Sequence, residues 1–453
     1  MNLADLTAVD LLAKYRDGSV SPVEVIEDVL ARVEQFEPRI SALYALDPAG
    51  ARAAAHESER RWRDGTAGAL DGVPVTVKEN IATRGTPVPQ GTAATELIPA
   101  VEDAPAAARL REAGAVIFSK TTMPEYGMLS SGVSTFHHLT RNPWDVTKTA
   151  GGSSAGAAAA AAAGYGPIHL GTDIGGSIRL PAGWCGLVGI KPTHGRVAVG
   201  NPYPGRAIGP LTRTAADAAL ALSVISGYDP RDYTSLPAAS DRYEITIAGL
   251  RVALLLDAGI GLPVDPEVAA AVSSTASQLE KAGALVERIA PIITREMLDG
   301  LDRFWRIRSA TDIAALPEER RAKVLPQIRE WVSTAGDLSG FDVFHGYSQM
   351  GAMAAAVGRV FTTYDVILSP VAPITAFPAE LAYPTDDPSK PFEHIAFTVP
   401  YNMSQHPATT VNAGWSSSGL PIGAQLAVPH HQDLTALALA AHLENHQREW
   451  PTS

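Results

Sequence analysis

Gly151-Gly152-Ser153-Ser154-Ala155-Gly156 and, a short distance on, Gly171-Thr172-Asp173-Ile174-Gly175-Gly176-Ser177-Ile178-Arg179-Leu180-Pro181 are the two stretches around which the chain is arranged. Between them, Ala155 to Ala163 holds only alanine and one glycine. Alanine is the strongest helix former, and side chains this small let a helix lie close against a sheet. Pro167-Ile168-His169-Leu170 then reads as a strand feeding the second loop. Adjacent glycines in that loop let several backbone N–H groups point at one spot, a nest suited to an oxyanion or a phosphate. A close-packed helix followed by such a strand belongs to an α/β protein.

Upstream, Asp71-Gly72-Val73-Pro74 turns the chain into Val75-Thr76-Val77-Lys78-Glu79-Asn80, an apolar strand with a lysine at its end. A short helix from Asp103 to Glu112, closed by Gly114, leads to a buried strand Ala115-Val116-Ile117-Phe118. Strand, helix, strand in this order favours an α/β sheet. Before them, Ser21-Pro22-Val23-Glu24 is a capping box with proline at the first helical position, and Ile26, Val29, Leu30, Val33 and Phe36 follow at helical spacing. Ala51 to Arg63 reads as another helix.

Downstream, Thr214 with Asp217 caps a helix ending at Ile225, Arg251 to Leu256 is a strand, and a helix starts at Asp265-Pro266. Arg295 to Thr363 is mostly helical, with Phe304, Trp305, Trp331, Phe341 and Phe344 among polar residues. These aromatics suit a lid or substrate wall, although for any one of them burial in helical packing is the default reading. Tyr364 to Leu368, Thr409 to Asn412 and Gln425 to Val428 read as strands, and Leu434 to Glu444 as a closing helix.

Composition narrows the function. A net charge of −12 over 453 residues, without clustered Lys and Arg, speaks against nucleic-acid and anionic-membrane surfaces. The longest low-polarity run is too short to span a bilayer. One cysteine, Cys185, excludes an intrachain disulfide and a thiolate metal cluster. Met1-Asn2-Leu3-Ala4-Asp5 has no basic segment followed by an apolar core, so a cytoplasmic enzyme is expected.

Several motifs compete for the serine loops. Gly152-Ser153-Ser154-Ala155-Gly156 matches the G-x-S-x-G elbow of α/β-hydrolases, but that elbow follows a strand, and Asp145 to Ala150 makes a poor one. A P-loop needs Gly-Lys-Ser or Gly-Lys-Thr, and neither tripeptide occurs. Gly259-Ile260-Gly261 lacks the third glycine of a dinucleotide loop. The adjacent pairs His137-His138 and His430-His431 point their side chains in different directions and have only Asp433 nearby, so no metal site is expected. Cys185, between Trp184 and Gly186 in an apolar run, reads as a core residue.

Taken together, Gly72-Val73-Pro74-Val75-Thr76-Val77-Lys78-Glu79-Asn80, the two serine loops and Gly189-Ile190-Lys191-Pro192-Thr193 make the chain resemble the amidase signature family. The likeness resumes at Gly209-Pro210-Leu211-Thr212-Arg213-Thr214 and near Gly419-Leu420-Pro421-Ile422-Gly423, and is weak from about Ala284 to Thr363. The resemblance implies one α/β domain over 1–453 with a large twisted mixed β-sheet flanked by α-helices on both sides. Within it, 1–65 would be an N-terminal helical region, 72–195 the catalytic core and 290–363 a variable helical substrate lid. It also implies a Ser-cisSer-Lys triad of Lys78, Ser153 and Ser177, an oxyanion hole from the N–H groups of Ile174, Gly175, Gly176 and Ser177, and Ser154, Asp173 and Arg179 as supports. For Asp173 and Arg179 an ion pair that only holds the loop is at least as good a reading as substrate contact. Ala155 departs from the family's usual glycine or serine, a change a methyl group should not disturb.

Elementary chemistry agrees with these roles. A serine hydroxyl needs a base, and lysine serves only when burial makes its ammonium unfavourable. Lys78 would take a proton from Ser153, which takes one from Ser177 as it attacks a carbonyl and later returns it to the leaving nitrogen. The family implies amides or anilides as substrates, with carbamates (urethanase activity) and esters open to the same attack, and no cofactor. Met128, Ser130, Ser131, Phe136 and Trp305, with Pro202 to Arg206 and Trp331, are pocket candidates by sequence neighbourhood alone. The protein is expected to act as a monomer or homodimer on a small molecule. Two other readings stand beside this: the A-type subunit of a tRNA-dependent amidotransferase, which shares the triad and hands ammonia to a partner, and a non-catalytic binding protein.

Overall fold

The computed structural model describes residues 2–238, 241–444 and 450–451. Its strands are β1 (Leu43–Tyr44), β2 (Pro74–Lys78), β3 (Val116–Thr121), β4 (Arg141–Asn142), β5 (Asp145–Thr149), β6 (Ile168–Asp173), β7 (Val188–Lys191) and β8 (Ala207–Thr212). They continue with β9 (Arg251–Leu254), β10 (Leu285–Arg288), β11 (Val366–Pro370), β12 (Ala408–Trp415) and β13 (Pro421–Ala427). Eleven of them make one mixed sheet in the order β1-β3-β2-β6-β8-β7-β12-β13-β11-β9-β10, with helices packed on its faces.

The sheet's arrangement puts three loops side by side. β2 is buried at all five positions and lies between parallel neighbours, which is why it reads as an unbroken apolar run rather than an alternating one. Val77 sits opposite Leu170 of β6, and Lys78 opposite Thr121 of β3. β2, β3 and β6 therefore end together, and the carboxyl ends of such strands are where open α/β sheets bind ligands. From β6 onward pairing is antiparallel through β8, β7, β12, β13 and β11, and becomes parallel again across β11, β9 and β10.

The alanine helix Ala155–Ala163 is buried throughout, wedged between the sheet and the helix Pro22–Ile40, whose Val29, Val33 and Phe36 share its apolar cluster. Its approach is close enough that a Cβ at Gly156 would lie 2.5 Å from the Thr122 backbone nitrogen. The capping box of Ser21 and Glu24 forms as its sequence implies.

One expectation changes. Asp145–Thr149 does form a strand, β5, paired with β4 outside the main sheet, and held by Thr149 N–H on Phe377 O at 2.9 Å and Ala379 N–H on Thr147 O at 3.0 Å. Those partners lie over 200 residues away, so a local reading of polar Asp145 to Ala150 had no sign of them. The short strands β1, β7, β8 and β10 were likewise unmarked, being defined by their neighbours more than by pattern. Among the described residues no helix is long and apolar enough to cross a membrane.

Candidate active site

Lys78, the last residue of β2, has no exposed surface. Its Nζ lies 2.8 Å from Ser153 Oγ, 2.9 Å from Thr172 Oγ1 and 3.1 Å from Ser154 Oγ, and among the described residues it forms no ion pair. Burial pushes its pKa down to about 7; the charges of Asp173 and Glu79 pull the other way, and Arg206 adds to the depression. An ammonium in such a place is readily a neutral amine.

The first serine loop is tied to the second through backbone. Ser154 N–H donates to Ser177 O at 3.1 Å, and Ser154 Oγ donates to Thr172 O at 3.2 Å. The peptide bond between Gly152 and Ser153 is cis. Ser153 is buried, while Ser177 is partly exposed and faces the same cavity. The Ser177 hydroxyl has no hydrogen bond to protein among the described residues.

Asp173 and Arg179 shape the second loop. The Asp173 carboxylate accepts Gly176 N–H at 2.8 Å, Ile178 N–H at 3.1 Å and Asn402 Nδ2–H at 2.8 Å. Burial alone would raise its pKa, but the Arg179 charge and these hydrogen bonds hold it well below the usual carboxylate range. All five Arg179 N–H donors are taken: by both Asp173 oxygens, Thr398 O, Gln425 Oε1 and Asn402 Oδ1. No donor is left for a substrate, so the loop-holding reading of this pair is the one the geometry supports.

That network corrects the oxyanion set. The Gly176 N–H is spent on Asp173, and Gly176, at φ 126°, turns away from the cavity; a Cβ there would meet Thr398 Oγ1 at 2.5 Å. The N–H groups of Ile174, Gly175 and Ser177 carry no hydrogen bond among the described residues, and all three residues border the cavity.

The cavity holds about 350 Å³. Ser153 and Ser177 lie on its wall with Thr172 and Asn80; Met128, Trp305, Ile313, Phe392 and Ile395 supply apolar surface, and Arg206 and Arg308 polar surface. Of the pocket candidates, Met128, Ser130 and Trp305 border this cavity. Ser131 is not: it is fully buried with Oγ on Ala382 O at 3.1 Å. Phe136 is not either, packing edge-on against Tyr44 and His137 in a separate, more open groove. Both lie near Ser130 in sequence, but the chain turns away after it. Of Pro202 to Arg206 only Arg206 reaches the cavity. Trp331 stands behind the wall, edge-on to Phe392, with Nε1–H on Asp302 Oδ1 at 2.8 Å. Phe341 and Phe344 are at the surface.

Thr172, Asn80, Asn402 and Gln425 went unassigned. Thr172 had a signal, a polar side chain at the end of an apolar strand; Asn402 and Gln425 had none. The histidines pack: His137 bonds the buried Glu79 carboxylate, and His430 stacks on His406 with centroids 3.7 Å apart. Among the described residues no three His, Cys, Asp or Glu side chains are grouped to hold a metal. Cys185 is buried, its thiol pKa pushed up.

A family profile described as Amidase matches residues 24–437. The chain is 34% identical over 457 residues to an acylamidase of Rhodococcus erythropolis, covering 98% of this chain and 96% of that protein. It is also 34% identical over 476 residues to the glutamyl-tRNA(Gln) amidotransferase A subunit of Halothermothrix orenii, covering 98% of each. In three dimensions it is similar to a bacterial aryl acylamidase, with a TM-score of 0.89 at 28% identity over 96% of this chain and 95% of that one. With motifs, sheet and full-length likeness in agreement, the chain belongs to the amidase signature family of amide-hydrolysing enzymes.

Proposed function

We propose that this chain hydrolyses the acyl C–N bond of small amides and anilides through a covalent Ser177 acyl-enzyme, with carbamates and esters as further substrates of the same attack. The observation that carries the reading is Lys78: a fully buried amine with a pKa near 7, three hydroxyl neighbours and no ion pair among the described residues. Ser177 Oγ adds to the carbonyl carbon while its proton passes to Ser153 and the Ser153 proton passes to neutral Lys78. The carbonyl oxygen, now negative, accepts from the N–H groups of Ile174, Gly175 and Ser177. Collapse breaks the C–N bond as the proton returns through Ser153 to the leaving nitrogen. Water then attacks the ester by the same route and releases the carboxylic acid.

Equal identity to an acylamidase and to an amidotransferase A subunit supports a second reading, in which the chain releases ammonia for partner chains. Assay of the purified chain alone on para-nitroanilides separates the two. Turnover by the wild type, with a loss of about 10⁴-fold or more in Ser177→Ala, is the expected result. Undiminished activity in Ser177→Ala would sink the acyl-enzyme. Inactivity alone, relieved by partner chains and glutamine, would favour the amidotransferase.

A further inference from the structure

We propose that the substrate of this cavity is an amide bearing a carboxylate, recognised by Arg206 and Arg308. The inference rests on the hydrolase reading above and names its substrate class. Arg206 follows Gly205, whose carbonyl accepts Asn402 Nδ2–H at 3.0 Å, and the same amide group donates to Asp173. Its backbone is therefore fixed to the network beneath the second serine loop. Arg308 lies on the helix Arg295–Ala314, one turn beyond Trp305. Both border the cavity, and both guanidinium carbons lie over the Tyr203 ring, at 5.5 Å for Arg206 and 4.3 Å for Arg308.

The two cations are poorly neutralised. Among the described residues Arg206 forms no ion pair, and its guanidinium makes one hydrogen bond, from Nη1 to Asn201 O at 3.4 Å. Among the described residues Arg308 has a single carboxylate in reach, exposed Asp312, with Nε to Oδ2 at 3.8 Å, beyond hydrogen-bonding distance. The other carboxylate on the cavity wall, Asp173, is consumed by Arg179. Two positive charges and one loosely held negative charge leave this end of the cavity net positive by one. Burial, and then the repulsion of Arg308, lower the pKa of Arg206. A half-buried guanidinium with most of its donors unspent among the described residues is unfavourable, and a planar monoanion satisfies it.

The test uses two isosteric substrate pairs: the para-nitroanilides of succinic and butyric acid, with the carboxylate on the acyl side, and para-acetamidobenzoate against para-nitroacetanilide, with it on the leaving group. In the wild type kcat/KM should favour the charged member of one pair by about tenfold or more, and the preference should shrink with added salt. Arg206→Ala and Arg308→Ala should each cut that ratio by about tenfold, chiefly through KM, and Arg308→Lys should recover part of it. Neutral anilides cleaved with no charge preference would overturn this proposal and leave the hydrolase reading standing, as would a preference that survives loss of both arginines. If no amide is cleaved the hydrolase reading falls, and calorimetry decides the proposal. Tighter, salt-sensitive binding of the succinyl than of the butyryl anilide to the wild type upholds it, and equal binding overturns it.

Discussion

At the scale of the residue, Lys78 is the base of the proposed mechanism, and its burial decides how readily it is neutral. In the proposed mechanism the neutral amine is the active form, so kcat/KM should rise with pH through about 7 and then level off. A profile that falls through that range would contradict a lysine base. Lys78→Ala should lose roughly 10²–10⁴-fold in kcat, the usual worth of a positioned base. Thr172 accepts a hydrogen bond from the ammonium and so favours its charged form. Thr172→Val should therefore move the acid limb of the pH profile to lower pH, a shift that pH-dependent kinetics of the variant would detect. Lys78 was legible because a lysine at the end of an apolar strand has few structural reasons to be there. Thr172 stood in the second serine loop, and only the parallel pairing of β2 with β6 brings it to Lys78.

At the scale of the element, the second serine loop keeps its shape through a buried ion pair rather than through regular structure. Asp173 ends β6, Arg179 opens the short helix Arg179–Trp184, and Asn402, Gln425 and Thr398 complete the hydrogen bonds. Arg179→Met leaves the Asp173 carboxylate buried without its partner, and removing one member of such a pair costs about 3–5 kcal/mol. Urea denaturation of the variant should show a loss of that size; a loss below about 1 kcal/mol would mean water reaches the carboxylate. Asp173 and Arg179 were visible as a spacing within one motif. Their partners lie more than 200 residues away, Gln425 on β13 and Thr398 and Asn402 at the short helix Val399–Met403, and nothing near Asp173 in sequence points to them.

At the scale of the whole molecule, burial of cations sets the response to pH. Lys78 and Lys191 are pushed down to about 7 and Lys120 to about 8, each chiefly by desolvation. In the unfolded chain all three hold their protons to about 10.4. Between about pH 7.5 and 10 the unfolded state thus binds more protons than the folded one, and stability rises with pH. The buried Cys185 thiol, raised by desolvation, opposes this above about 8.5, and the buried Tyr15, Tyr165 and Tyr401 hydroxyls, raised likewise, join it as the pH nears about 10. Urea midpoints should be higher at pH 9 than at pH 7; a flat or falling series would show that these ammonium groups stay charged in the folded state.

By itself the sequence determined the family, the α/β class, the alanine helix packed on the sheet, and the grouping of Lys78, Ser153 and Ser177, of which the two serines border one cavity and Lys78 lies buried 2.8 Å behind Ser153 Oγ. These follow from short-range constraints: where glycine must lie, where a helix must be narrow, where a strand must end in a charge. Tertiary structure alone decided that Gly176 spends its N–H on Asp173, that Ser131 and Phe136 leave the cavity, and that Arg308 joins Arg206 on its wall. The places of Ser131 and Arg308 depend on which distant segment fills the neighbouring space, as where Ser131 meets Ala382 and Arg308 meets Tyr203, and the Asp173 carboxylate is itself held by distant Asn402; packing between segments so far apart leaves no periodic trace along the chain.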